Sequence, residues 1–218
     1  MKKLLTTLFA AFGLVAAALP AAQAQDAKAG EKKAAMCIGC HGIPGYQSSF
    51  PEVYKVPMIS GQNPQYIISA LNAYAKGERK FPTMHSVAAS LSDQDKADLA
   101  AYYAGNAGET AKLPDQLAVQ PSAQVAELLK KGNCVSCHGA NLSKPIDPAY
   151  PKLAGQHADY LYYALKAYQT QKNPQVGRSN PIMMGMAAPF TRDELHTLAD
   201  YIASLPGELK TVTQPHFR

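Results

Sequence analysis

Apolar residues recur along this chain at the three-and-four spacing of helices, and the arrangement occurs twice. Ile67, Ala70, Leu71 and Tyr74 form one stripe; Leu161, Ala164, Leu165 and Tyr168 form its counterpart, and each is expected to face a core. Asn63 as N-cap, Pro64 at the first helical position and Gly77 beyond the last turn bound the first of these helices. Related segments precede both stripes, ISGQNPQY from Ile59 to Tyr66 and LAGQHADY from Leu153 to Tyr160. Further on, the segment starting at Met84 aligns with the one starting at Met183. Ser92 with Asp95, and Thr191 with Glu194, then predict capping boxes that open the last helix of each half. Those helices carry Leu99, Tyr102 and Tyr103 in one half and Leu195, Leu198 and Ile202 in the other. No stretch alternates with a period of two, so the fold class is all-α. Each half runs helix, cysteine motif, loop, helix, Met loop, helix.

The longest apolar run differs in kind. Lys2 and Lys3 precede Leu4 to Leu19, followed by Pro20 and Ala22-Gln23-Ala24, the pattern of a signal peptide over residues 1–24, cleaved after Ala24. The run falls short of the roughly 20 apolar residues that a membrane span needs. The expected location is therefore the periplasm. The rest divides into an N-terminal domain at 25–104, a Gly- and Pro-containing linker at 105–121, a C-terminal domain at 122–206 and a surface tail at 207–218.

Composition excludes several classes. With 218 residues, 47% hydrophobic and 17% charged, the chain is neither collagen-like nor charge-rich and disordered. The formal charge is +5, and without Lys2 and Lys3 it is too weakly positive to argue for nucleic acid. The excess lies in the second half, where Lys144, Lys152, Lys166, Lys172 and Arg178 are candidates to guide an acidic partner, with solvated charge the expected role for most of the lysines.

All four cysteines fall in two copies of C-x-x-C-H, Cys37-Ile38-Gly39-Cys40-His41 and Cys134-Val135-Ser136-Cys137-His138. This is the attachment signature of c-type haem. Two thiols three positions apart share one helical turn and can reach the two vinyl groups of one porphyrin, while the next residue sets an imidazole under the iron. A thioredoxin-type pair would need a strand–helix–strand context, but the flanks are Ala-rich and helical. A four-cysteine zinc site brings its pairs within roughly 15 to 20 residues, whereas position 37 and position 134 are far apart. Two structural disulfides would leave the repeated histidine unexplained. The expectation is two covalently bound haem c groups, with Cys37, Cys40, Cys134 and Cys137 attached and His41 and His138 as axial ligands.

The repeat also nominates the opposite ligands. Met84 and Met183 are the methionines common to both registers, and a thioether is a soft ligand that favours reduced iron. Met184 and Met186 read as packing residues, Met36 and Met58 as pocket lining. His85 is expected to be partly exposed, and His157, His196 and His216 to be surface or locally bonded. With both axial positions filled at each iron, no substrate can bind there, which argues for an electron carrier and against an enzyme. Halves this small bury only about 60% of their unfolded surface and need a cofactor to pack around.

With those residues in hand, the chain resembles the cytochrome c4 family, on CIGCH, CVSCH, YPKLAGQ at 150–156 and the Met-x-x-x-Ala-Ala segments. The resemblance implies two tandem class I cytochrome c domains, each wrapped around one haem, and electron transfer with His/Met ligation at both irons. It also implies that the carbonyl of Pro151, and of Pro57 in the departing first-half sequence, orients the axial His. Expected partners are redox proteins: a terminal oxidase, a quinol-oxidising complex or a dehydrogenase, with free diffusion and rest on a membrane surface both open. Two alternatives stand beside the carrier: the electron-accepting dihaem subunit of a substrate-oxidising complex, such as a flavocytochrome sulfide dehydrogenase, and a dihaem peroxidase or haem sensor.

Overall fold

A computed structural model describes residues 24–109 and 112–213. The signal peptide expected at 1–24 lies, but for Ala24, outside the described residues, as do His216 and the end of the tail. The first half contains α1 (Ala27–Lys33), α2 (Ala35–His41), β1 (Gln47–Ser48), β2 (Tyr54–Lys55), α3 (Pro64–Ala75), β3 (Arg79–Lys80), α4 (Pro82–Ala89) and α5 (Asp93–Gly105). The second contains α6 (Ala123–Lys131), α7 (Cys134–His138), α8 (Ala158–Gln169), β4 (Gly177–Arg178), α9 (Pro181–Ala187) and α10 (Arg192–Ser204). The all-α architecture holds, with two additions. The segments expected as Met loops are short helices, α4 and α9, each opened by a proline whose missing N–H costs nothing at that position. Two-residue strands also pair, β1 with β2 inside the first half and β3 with β4 between the halves. Strands this short leave no period-two signal.

Each half closes its first helix on its last. In the first, α1 lies across α5 at Gly30, where a Cβ would stand 2.1 Å from the Asp98 carbonyl oxygen, so only glycine permits the approach. Asp98 fastens the crossing from its nearly fully buried position. Its carboxylate accepts from the Asp26 amide at 3.0 Å, Lys33 Nζ at 2.7 Å and Gln94 Nε2 at 2.7 Å. In the second half α6 packs on α10 through Val125, Leu128, Leu129, Leu195, Leu198 and Ile202. Both capping boxes form as expected, on Ser92/Asp95 and Thr191/Glu194.

The halves dock through reciprocal glutamines. Gln62 donates from Nε2 to the Lys152 carbonyl and accepts from the Lys152 amide, at 3.0 and 2.9 Å. Gln156 does the same to Met58 in the opposite direction, at 2.8 and 3.0 Å. Asn63 occupies the N-cap position of α3, but its side chain donates across the boundary to the Tyr150 carbonyl instead of capping. An aromatic cluster adds Tyr54 stacked on Tyr163, with ring centroids 4.1 Å apart. The C-terminal segment does more than trail over the surface. Leu209 is buried, the Lys210 amide donates to the Ser60 carbonyl at 3.0 Å, and Lys152 pairs with Glu208 at 2.5 Å.

Candidate functional site

One cavity of about 600 Å³ runs through both halves and is lined by both cysteine motifs. The stripes of α3 and α8 face a core as expected, Ile67 and Leu71 in the first half and Leu161 and Leu165 in the second, and with Ala70, Tyr74, Ala164 and Tyr168 they also line this cavity. The core of each half thus continues into the wall of this cavity. Residues 110–111 of the linker lie outside the described residues. The rest of the linker runs along the second half, where Leu117 packs on its core and the Pro114 carbonyl accepts from Asn141.

The motif residues sit alike in both halves. Cys37 and Cys40 share α2, Cys134 and Cys137 share α7, none of the four is in a disulfide, and all four line the cavity. Burial pushes the Cys37 thiol up, and Cys134 up to about 11, so each would be neutral before attachment to a haem. His41 donates from Nδ1 to the Pro57 carbonyl at 2.9 Å, and His138 to the Pro151 carbonyl at 3.0 Å. A carbonyl can only accept, so each ring carries its proton on Nδ1 and keeps the Nε2 lone pair for another partner. Burial pushes both imidazoles below their ordinary value, which preserves the neutral form that a metal ligand requires. The departure of the first-half sequence around Pro57 therefore leaves the His geometry unchanged.

Met84 and Met183 each occupy the third position of a proline-opened helix, half-buried, against the cavity wall. Their neighbours separate by position. His85 is exposed, its Nδ1 bonded to the Tyr74 carbonyl at 2.8 Å, and Met184 is half-buried but absent from the cavity wall. Met186, expected only to pack, lines the cavity and is partly exposed; Met36 and Met58 line it as expected. His196 bonds Asp200 on the surface at 2.9 Å, and His157 sits at the N-terminus of α8. Two thiols, an imidazole with a free Nε2, a thioether and apolar walls in each half form a donor set that fits a covalent haem c.

Some residues at this site carried no signal in a single-sequence reading. Arg79 and Arg178, one from each half, are buried in the cavity wall and lie opposite each other on the β3–β4 pairing. Arg178 is thus buried and not a surface charge that could guide a partner. Of the lysines grouped with it, Lys144, Lys152 and Lys166 are engaged with Asp115, Glu208 and Glu52. The Gly77-Glu78-Arg79 and Gly177-Arg178 segments differ in spacing, which hides their equivalence.

The second half matches the cytochrome c family model over residues 122–206. Cytochrome c4 of Pseudomonas aeruginosa is 31% identical, the match covering 94% of this chain and 100% of that protein. A thiosulfate dehydrogenase electron acceptor of Stutzerimonas stutzeri is also 31% identical, with 90% of this chain and 94% of that protein covered. Among solved structures, reduced recombinant cytochrome c4 from Pseudomonas stutzeri matches with a TM-score of 0.58 at 28% identity, covering 84% of this chain and 100% of that one.

Proposed function

The chain belongs to the cytochrome c4 family, a dihaem electron-transfer cytochrome with two covalently bound haem c groups, and from this we propose that it is a periplasmic carrier moving single electrons between respiratory donors and a terminal oxidase or comparable acceptor. Cys37, Cys40 and His41 with Met84 would hold one haem; Cys134, Cys137 and His138 with Met183 would hold the other. Each haem supplies a one-electron Fe(II)/Fe(III) couple.

The protein's own residues set how that couple behaves. Pro57 and Pro151 fix the imidazole tautomer and ring plane through their carbonyls, so neither ring has to turn between oxidation states. A thioether ligand from Met84 or Met183 would favour the reduced state, as would the apolar lining from α3 and α8. The Gln62 and Gln156 exchanges hold the two sites in one mutual orientation. What supports this reading most directly is the repetition of the whole donor set in both halves around one shared cavity.

A redox titration of the purified protein followed by visible and near-infrared spectra tests it. The expected result is two haems, two one-electron steps and a thioether-to-iron(III) charge-transfer band for each. Carbon monoxide binding to the native reduced protein would instead support a peroxidase or sensor. The likeness to a thiosulfate dehydrogenase electron acceptor favours one second reading, in which this chain receives electrons as the subunit of a substrate-oxidising complex. A catalytic subunit that copurifies tightly with the native protein would establish that reading.

A further inference from the structure

Arg79 and Arg178 are 9% and 8% exposed, and they stand directly opposite each other across the β3–β4 pairing that joins the halves. Among the described residues no carboxylate comes within ion-pair distance of either. Their partners are neutral. Arg79 donates to the Tyr66 hydroxyl at 3.2 Å and to the Tyr160 hydroxyl, and Arg178 donates to the same Tyr160 hydroxyl at 3.2 Å. Arg79 also lies over the Tyr74 ring, and Arg178 over the Tyr168 ring. The Arg79 Nε is buried without a hydrogen-bond partner.

This arrangement is incomplete by its own chemistry. A guanidinium cannot shed its proton, a buried cation without an anion is expensive, and two like charges directly opposite in a sheet repel. Burial raises the Tyr160 hydroxyl, yet the two arginines outweigh it and bring it down to about 8, the mark of a pocket that demands negative charge. Both arginines line the same cavity as both cysteine motifs, and a haem c carries two propionate carboxylates.

We propose that Arg79 and Arg178 form one shared cationic clamp for the propionates of both haems, so that the docked arrangement of the two halves is complete only when both haems are attached. The clamp rests on the presence of two haem c groups and not on which residues are the axial ligands, so it and the His/Met reading fail separately. The like-charged pair becomes favourable when anions from both sides surround it. Each arginine belongs to one half, and Arg79 reaches into the other through Tyr160. The interface therefore works as a sensor of haem loading as well as a contact.

The test uses the dihaem protein, with haem content confirmed by mass, as wild type and as Arg79→Gln, Arg178→Gln, the double variant, Arg79→Lys and Tyr160→Phe. Both midpoint potentials and limited proteolysis within residues 105–121 are read. The glutamine variants should lower the midpoints, because a removed cation no longer opposes the oxidised iron, and should speed linker cleavage, most of all in the double variant. Arg79→Lys, which keeps the charge, should hold its midpoints close to wild type. The proposal is overturned if the glutamine variants leave the midpoints unchanged, or if they slow cleavage, as relief of an unneutralised like-charge pair would. It is equally overturned if Tyr160→Phe raises the midpoints, which would make a Tyr160 phenolate the neutralising anion.

Discussion

At the scale of single residues, the axial candidates are prepared by groups that never touch a ligand. A carbonyl that accepts from Nδ1 decides which nitrogen of His41 and His138 faces the cavity, and the backbone supplies that carbonyl, so no side-chain substitution at Pro57 or Pro151 deletes it. Among the described residues, neither methionine side chain has such a hydrogen-bonded support. Met84→Ala should remove about half of the thioether-to-iron(III) absorbance and lower one midpoint while leaving the other nearly in place, and Met183→Ala should do the converse. Carbon monoxide should then bind one haem of each reduced variant. If His85 or Met186 supplied the ligand instead, the corresponding methionine variant would keep both bands.

At the scale of elements, what was legible in the sequence is what local chemistry dictates. The capping boxes at Ser92 and Thr191 formed because a short hydroxyl and a carboxylate three residues later satisfy one another whatever surrounds them. The α3 and α8 stripes were visible by period, yet period alone cannot tell a packed core from the wall of a ligand cavity. Asn63 looked like a cap and became a bridge, because a carbonyl from the other half offered its amide a partner that no local rule could foresee. The crossing of α1 on α5 was equally silent, since Gly30 acquires meaning only when Asp98 lies beneath it. Gly30→Val should destabilise the first half by about 1–3 kcal/mol or more, seen as an earlier thermal transition. The same crossing gives a pH signature. Lys33 foremost, with the Asp26 amide, holds the Asp98 carboxyl below the usual range. Its stabilisation is therefore fully present above the unfolded carboxylate value near about 3.9 and is lost as pH falls through the folded one. Asp98→Asn should lower the melting temperature at pH 7 and flatten its fall on acidification, as followed by Soret dichroism.

At the scale of the whole molecule, two small halves are joined by polar bonds that repeat around a pseudo-twofold arrangement. Gln62 and Gln156 were visible as a repeated Gly-Gln pair, but the sequence gives no sign that each reaches across to the opposite half. Each glutamine satisfies both an amide and a carbonyl of one residue, so its removal leaves two backbone groups to find water at a partly buried boundary. Gln62→Ala or Gln156→Ala should each cost about 1–3 kcal/mol, which for a protein of this size shifts the melting temperature by a few degrees per kcal/mol. The two losses should not add. Once one exchange is broken the halves can rock about the other, so the second bond pair is already weakened, and a double-mutant cycle should return a coupling of about 0.5 kcal/mol or more. Strictly additive losses would mean that the apolar contacts of Tyr54 and Tyr163 fix the orientation and that the glutamines merely decorate it.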